Sequence, residues 1–99
     1  MARRWAFRKD ANHREIVNAM SALGVEFIDM SNLGASFDGV VFIGGRDYWL
    51  EIKDGQKAPS ARKLTEGEEK IDALLRRHGR KLHVIESVDD LVRLVNERP

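Results

Sequence analysis

The spacing of apolar and polar residues predicts a helix at the start of the chain. Apolar positions recur at helical intervals from Ile16 to Leu23, after a candidate N-cap at Asp10 and before a terminating glycine at Gly24. A short strand is expected around Phe27. Residues 31–36 (SNLGAS) are rich in turn-forming types and predict a loop.

The middle of the chain predicts a β-hairpin. Residues 40–43 (VVFI) form a continuous apolar run, which is typical of a strand buried on both faces. Two glycines at 44–45 suit a tight turn, and residues 48–53 (YWLEIK) supply the partner strand. Alternation places one set of side chains on the face opposite Leu50, and that set comprises Trp49, Glu51 and Lys53.

The last third predicts a helix, a strand and a further helix. Thr65 and Glu68 match a capping box, and the helical stripe that follows ends at Gly79. Residues 82–85 (LHVI) are typical of a strand, and Ser87 with Asp90 indicates the last N-cap. The order is α-β-β-β-α-β-α. A helix that connects two strands favours parallel pairing, so we expect one α/β domain over residues 1–99 with a mixed sheet flanked by helices.

Composition narrows the class of protein. The 99 residues are 42% apolar and 33% charged, with a net charge of +1. The chain has no cysteine, which excludes disulfides and thiolate metal sites. It shows neither the apolar core of a signal peptide nor a run of ~20 apolar residues, so we expect a cytoplasmic protein without a membrane segment.

Three charged residues lie at the open ends of the predicted hairpin. Asp38 begins the first strand, and Glu51 and Lys53 end the second. Facing residues of paired strands approach within about 5 Å at Cβ, and two carboxylates that close repel unless a proton or a cation intervenes. Mg²⁺ is usually held by one or two carboxylates and a substrate phosphate, and the carbonyl of Ile52 could add a ligand. Lys53 could position a water or neutralise phosphate charge. The alternative is that Asp38 is a turn residue and that Glu51 and Lys53 are a surface pair.

These residues resemble the PD-(D/E)xK nuclease superfamily, whose signature is an acid on one hairpin strand and acid-x-Lys on the next. The chain is similar in more detail to the small phage-type VRR-NUC group, relatives of Holliday-junction resolvases. The similar segments are Asp10-Ala-Asn12, Glu15-Ile16, residues 50–55 (LEIKDG), Ser60 and Lys63-Leu64-Thr65. It departs from the group at Phe37, where a proline is usual, and at Glu68, where a glutamine is frequent.

The resemblance implies a restriction-endonuclease-like fold and a Mg²⁺-dependent DNA endonuclease, with Mn²⁺ as a substitute. It implies catalytic roles for Asp38, Glu51 and Lys53, with Glu15 as an additional acid near the metal. It also implies a homodimer, a substrate that is often branched DNA, and a phage-encoded protein acting in a bacterial host. The alternative is a non-catalytic nucleic-acid-binding or protein-interaction module that keeps the fold.

Basic residues are candidates for contacts to DNA phosphates. In the loop after the hairpin these are Lys57, Arg62 and Lys63. Residues 1–9 form a basic arm with interleaved Trp5 and Phe7, which is expected either to stack on bases or to be a flexible or dimer-docking segment. A third basic cluster, over residues 76–81, is interpreted either as a phosphate contact or as ordinary surface charge. His13 is expected to be a surface residue.

Overall fold

The computed structural model describes residues 11–97, and in that range the helices and strands follow the predicted order. Their bounds are α1 Ala11–Ala22, β1 Glu26–Asp29, β2 Gly39–Ile43, β3 Arg46–Ile52, α2 Glu66–Arg77, β4 Leu82–Ile85 and α3 Val88–Asn96, with a 3₁₀ turn at Pro59–Arg62 before α2. The N-cap predicted at Asp10 and the basic arm over 1–9 lie outside the described residues. No helix between residues 11 and 97 is both long enough and apolar enough to cross a bilayer.

The four strands form one mixed sheet in the order β1-β2-β3-β4. β1, β2 and β3 pair antiparallel, whereas β3 and β4 pair parallel. The parallel pairing expected from the α2 crossover is therefore confirmed. The β2–β3 turn uses Gly44 and Gly45 with φ of 58° and 82°, values that residues with a Cβ rarely adopt, so the two glycines close the hairpin without strain. The mixed α/β class is confirmed, while the restriction-endonuclease-like assignment stays a prediction.

Each face of the sheet carries its own apolar core. On one face, Ile16 and Met20 of α1 and Leu91 of α3 pack against Val41 and Leu50. On the other face, Leu75 of α2 packs with Phe37 and Leu82, and half-buried Trp49 joins them. Because side chains alternate along β3, the face that carries Trp49 also carries Glu51. The second core thus brings α2 over the strand that carries the predicted site residues.

The expectation that β2 is buried on both faces is wrong. Val41 and Ile43 are buried beneath α1 and α3, but Phe42 on the opposite face is 40% exposed, and its neighbour Ile28 on β1 is also exposed. On this face α2 packs over the β4 side of the sheet, and no helix between residues 11 and 97 covers β1 or the far end of β2. An apolar run in the sequence does not reveal which part of a sheet a helix covers.

Candidate functional site

The hairpin register places Asp38 opposite Glu51. Gly39 pairs with Leu50, so the residues one step further along each strand face one another. The Asp38 N–H donates to the Leu50 carbonyl at 3.0 Å, and the Asp38 carboxylate accepts from the Ile52 N–H at 2.7 Å. These bonds hold Asp38 at the end of the sheet, directly before β2.

Gly39 allows β1 to approach Asp38 closely. A Cβ at this position would overlap the Ile28 carbonyl oxygen and the ring of Phe27. The Met30 N–H donates to the Asp38 carbonyl at 2.7 Å, so β1 braces the same backbone from its other side. The Asp38 backbone is therefore held between two neighbouring strands, which limits the positions open to its carboxylate.

Within the part of the chain that the structure describes, three carboxylates line one cleft at this end of the sheet. The cleft measures about 220 Å³, and its walls include Asp38, Glu51 and Glu68 together with Ser36 and Thr65. Asp38 comes from the end of β2, Glu51 from β3 and Glu68 from the first turn of α2. The carboxylates of Asp38 and Glu51 are thus on the same side of the sheet, as a shared metal site requires.

Glu51 is buried at an electrostatic cost. It is only 6% exposed, and burial is the largest cause that raises its pKa, to about 9, followed by the charge of Asp38 and contact with Glu68. A carboxyl group with this pKa is mostly protonated at neutral pH when no cation is bound. The position therefore favours a bound cation or a proton over a bare carboxylate.

Lys53 lies between two carboxylates. Its Nζ is 2.9 Å from Glu68 Oε1 and 3.5 Å from Glu51 Oε2, and its side chain is 12% exposed. Burial by itself lowers the pKa of Lys53, but the hydrogen bond to Glu68 and the charge of Glu51 outweigh burial and leave that pKa above its usual value. Lys53 is therefore a charged ammonium group inside the site. The alternative that Glu51 and Lys53 form a surface pair is wrong, because α2 covers this face of β3.

Glu68 performs two tasks at once. It completes the predicted capping box, in which Thr65 Oγ1 accepts from the Glu68 N–H at 3.2 Å and Glu68 Oε1 accepts from the Thr65 N–H at 2.8 Å. The same oxygen accepts from Lys53. Burial raises the pKa of Glu68, but the bonds from Lys53 and Thr65 outweigh burial and lower it below its usual value. Glu68 is therefore an ionised partner of Lys53.

Two residues of α1 also reach this end of the sheet. Asn12 Nδ2 donates to the Lys53 carbonyl at 2.7 Å, which ties the start of α1 to the end of β3. His13 is 8% exposed, with Nδ1 4.0 Å from Asp38 Oδ1 and Nε2 3.6 Å from Asp29 Oδ2. The expectation of a surface histidine is wrong. His13 lies three residues before Ile16, so the helical stripe could have indicated its burial.

The structure does not bring Glu15 to the cleft of Asp38 and Glu51. Glu15 is exposed and lines another cleft, with Asp54 and Glu86. Its role as an additional metal ligand stays a prediction. The carbonyl of Ile52 is better placed. The N–H and the carbonyl of one strand residue point toward the same neighbouring strand, and the Ile52 N–H points toward Asp38.

The predicted phosphate contacts in the loop differ in their surroundings. Arg62 is half-buried, and its Nη1 pairs with Glu86 at 3.2 Å, so its charge is already balanced by a carboxylate. Lys57 and Lys63 are exposed in the segment between the hairpin and α2. Their contacts to DNA stay predictions.

The described residues do not contain a complete metal-ligand cluster. Between residues 11 and 97, no group of three or more Asp, Glu or His side chains is arranged to hold a metal ion by itself. The donor set in the cleft nevertheless suits Mg²⁺, which commonly takes one or two protein carboxylates and completes its shell with water and substrate phosphate. Comparison of the chain with protein-family models, curated proteins and solved structures gave no match.

Proposed function

We propose that this protein is a Mg²⁺-dependent endonuclease that hydrolyses DNA phosphodiester bonds. One observation carries the proposal: Asp38 and Glu51 line the same cleft, and a charged Lys53 lies beside them. Grouping two carboxylates and an ammonium in a largely buried place costs free energy of desolvation and repulsion. A site that binds a cation and a phosphate gives each of these groups a partner.

Asp38 and Glu51 would hold the metal ion. When bound, Mg²⁺ supplies a Lewis acid that polarises the phosphate and lowers the pKa of a coordinated water. The hydrogen bond from the Ile52 N–H orients the Asp38 carboxylate. Glu51 must release its proton to become a ligand, so binding of the ion is expected to tighten as the pH rises toward 9.

Lys53 acts as a cation rather than as a base. The hydrogen bond to the ionised Glu68 keeps the ammonium protonated, so removing a proton from water is not a role that its surroundings favour. A fixed ammonium can orient the attacking water and stabilise negative charge on the phosphate oxygens in the transition state. Asn12 supports this position through its bond to the Lys53 carbonyl.

The experiment is a cleavage assay with plasmid, linear duplex and four-way-junction DNA in Mg²⁺ or Mn²⁺. We expect Asp38→Asn and Lys53→Met each to lower the cleavage rate by at least about 100-fold, as is usual for loss of a charged transition-state contact. Asp89→Asn and Lys70→Met are the matched controls, because both residues are exposed on helices and neither lines the cleft. No cleavage of any substrate, with no binding of millimolar Mn²⁺, would contradict the proposal.

The rival function is a non-catalytic nucleic-acid-binding module, and one observation favours it. Glu68 pairs with Lys53 at 2.9 Å and neutralises the group that an enzyme would direct at phosphate. The rival predicts that DNA binds to the protein and stays intact when Glu68→Gln has removed the negative charge. The enzyme proposal predicts that cleavage persists or increases in that variant.

The branched substrate and the homodimer are finer parts of the proposal. A domain of 99 residues covers little DNA alone, and a junction offers two equivalent strands to two copies of one site. Cleavage of the four-way junction that exceeds cleavage of linear duplex would support the branched substrate. A mass corresponding to two chains in light scattering would support the dimer.

A further inference from the structure

A second cleft, separate from the carboxylate cleft, lies where β3 begins. It measures about 620 Å³ and lies between the first residues of β3, the end of α2 and the start of β4. Between residues 11 and 97, four cationic side chains line it, against a single carboxylate, and these cations are Arg46, Arg76, Arg80 and Lys81. We refer to it as the basic cleft.

The charge of the basic cleft is only partly compensated. Arg80 binds Asp47, with Nη2 2.7 Å from Oδ2, and so neutralises the carboxylate in the wall. Arg76 pairs with Asp72 at 2.8 Å. Among residues 11–97, Arg46 and Lys81 have no carboxylate within 4 Å and are exposed. Two cations therefore remain to meet an external anion.

The basic cleft differs in sign from the other large surface depression. That depression, of about 640 Å³, is lined by carboxylates, including Glu15, Asp54 and Glu86. It would repel a polyanion. Among the described residues, the two depressions therefore carry charges of opposite sign even though the net charge of the chain is only +1.

The basic cleft and the carboxylate cleft lie at opposite ends of one helix. Glu68 in the first turn of α2 lines the carboxylate cleft, and Arg76 in its last turn lines the basic cleft. The eight-residue step from Glu68 to Arg76 rises about 12 Å along α2, which corresponds to about three to four base pairs of duplex DNA. A nucleic acid of modest length can therefore occupy both clefts at once.

We propose that the basic cleft binds the phosphate backbone of the nucleic-acid substrate through Arg46 and Lys81, remote from the bond that is cut. The proposal rests on the proposed function, since it assigns to the cleavage site a substrate that extends beyond it. A guanidinium group binds phosphate oxygens through two parallel bonds, and an ammonium group adds a point charge. Neither contact depends on base sequence, so the basic cleft positions the substrate without selecting a sequence.

The test measures binding in EDTA, so that it does not depend on cleavage. Fluorescence anisotropy with a 20-base-pair duplex gives Kd as a function of salt for the wild type and for the double variant Arg46→Ala, Lys81→Ala. Loss of two phosphate contacts is expected to weaken binding about 10- to 60-fold at 0.1 M salt and to reduce the slope of log K against log salt by about 1.8.

The control is the double variant Arg14→Ala, Lys70→Ala, which removes the same charge from exposed helical positions. It should bind within about twofold of the wild type, with an unchanged slope. Circular dichroism checks the fold of each protein, and Arg46→Gln, Lys81→Gln provides a second variant. An equal loss in both alanine doubles, or no loss in either, would overturn the proposal.

Two further results separate the outcomes. Poly-glutamate that displaces the duplex as well as a DNA competitor of equal charge would assign the basic cleft to acidic proteins and overturn the proposal. If the wild type binds DNA with the expected slope and never cleaves it, the proposed function fails while this binding site stands. If the wild type cleaves DNA and the double variant binds DNA as tightly as the wild type, the proposed function stands and the assignment of this binding site fails.

Discussion

Replacing Glu51 with glutamine should abolish a pH dependence of stability that the wild type shows without metal. The folded protein holds the pKa of Glu51 at about 9, against 4.5 in an unfolded chain. The folded state therefore retains a proton that the unfolded state has released between these values. Because the folded pKa is the higher one, the free energy of unfolding falls as the pH rises through this interval.

The size of the effect follows from the pKa interval. One pH unit within the interval changes the free energy of unfolding by about 1.4 kcal/mol, so raising the pH from 7 to 8.5 should cost about 2 kcal/mol. The other shifted groups titrate outside this window. The pKa of Glu68 is shifted below 4.5, that of Lys53 above 10.5 and that of His83 below 6.5. The pKa values of Asp47 and Asp72 are shifted below 3.8. Burial is the main cause that lowers the pKa of His83. Because the folded pKa is the lower one, the contribution of His83 to the free energy of unfolding rises with pH and is complete near pH 7.

Urea unfolding in EDTA, followed by circular dichroism, measures this dependence. With a slope of about 1 to 1.5 kcal/mol per molar urea, the wild-type midpoint should fall by about 1.3 to 2 M between pH 7 and 8.5. Glu51→Gln should lose this shift, and Glu69→Gln, at an exposed position of α2, should keep it. Equal shifts in the wild type and Glu51→Gln would refute the argument that Glu51 is buried and crowded by carboxylates.

Three shorter predictions concern the residues around Glu51. Gly39→Ala should destabilise the protein by about 1 to 3 kcal/mol in urea unfolding, because the new Cβ overlaps the Ile28 carbonyl and the Phe27 ring. Glu68→Gln should lower stability by about 1 kcal/mol, through weaker bonds to Thr65 and Lys53, and should raise the cleavage rate several-fold in a single-turnover assay. Mn²⁺ at ten times its Kd should stabilise the wild type by about 1.4 kcal/mol in thermal unfolding. The same concentration should stabilise Asp89→Asn equally and should have no effect on the stability of Asp38→Asn.

Local sequence signals were sufficient for the order of the elements, for the hairpin turn and for the N-caps of α2 and α3. The glycine pair at 44–45 closes the hairpin with the positive φ values that its composition predicts. Thr65 with Glu68 and Ser87 with Asp90 cap α2 and α3 as expected. Each of these signals works within a few residues along the chain, where backbone sterics and single hydrogen bonds decide the structure.

Contacts between elements could not be predicted in the same way. Phe42 was expected to be buried and is exposed, while Glu51 and His13 could be interpreted as surface residues and are buried. All three outcomes depend on where α1 and α2 rest on the sheet. Helix placement is decided by side-chain packing between elements distant in sequence, so the alternation of residues along one strand cannot reveal it.

Glu68 shows why a local signal can be correct and still incomplete. The capping box required only Thr65 and an acid three residues later, and the structure contains it. Because α2 begins beside the end of β3, the carboxylate that caps the helix also meets Lys53. A glutamine at position 68 could make the same cap but would not neutralise the ammonium. The choice of acid is therefore not explained by helix capping, and it links the start of α2 to the charge of the carboxylate cleft.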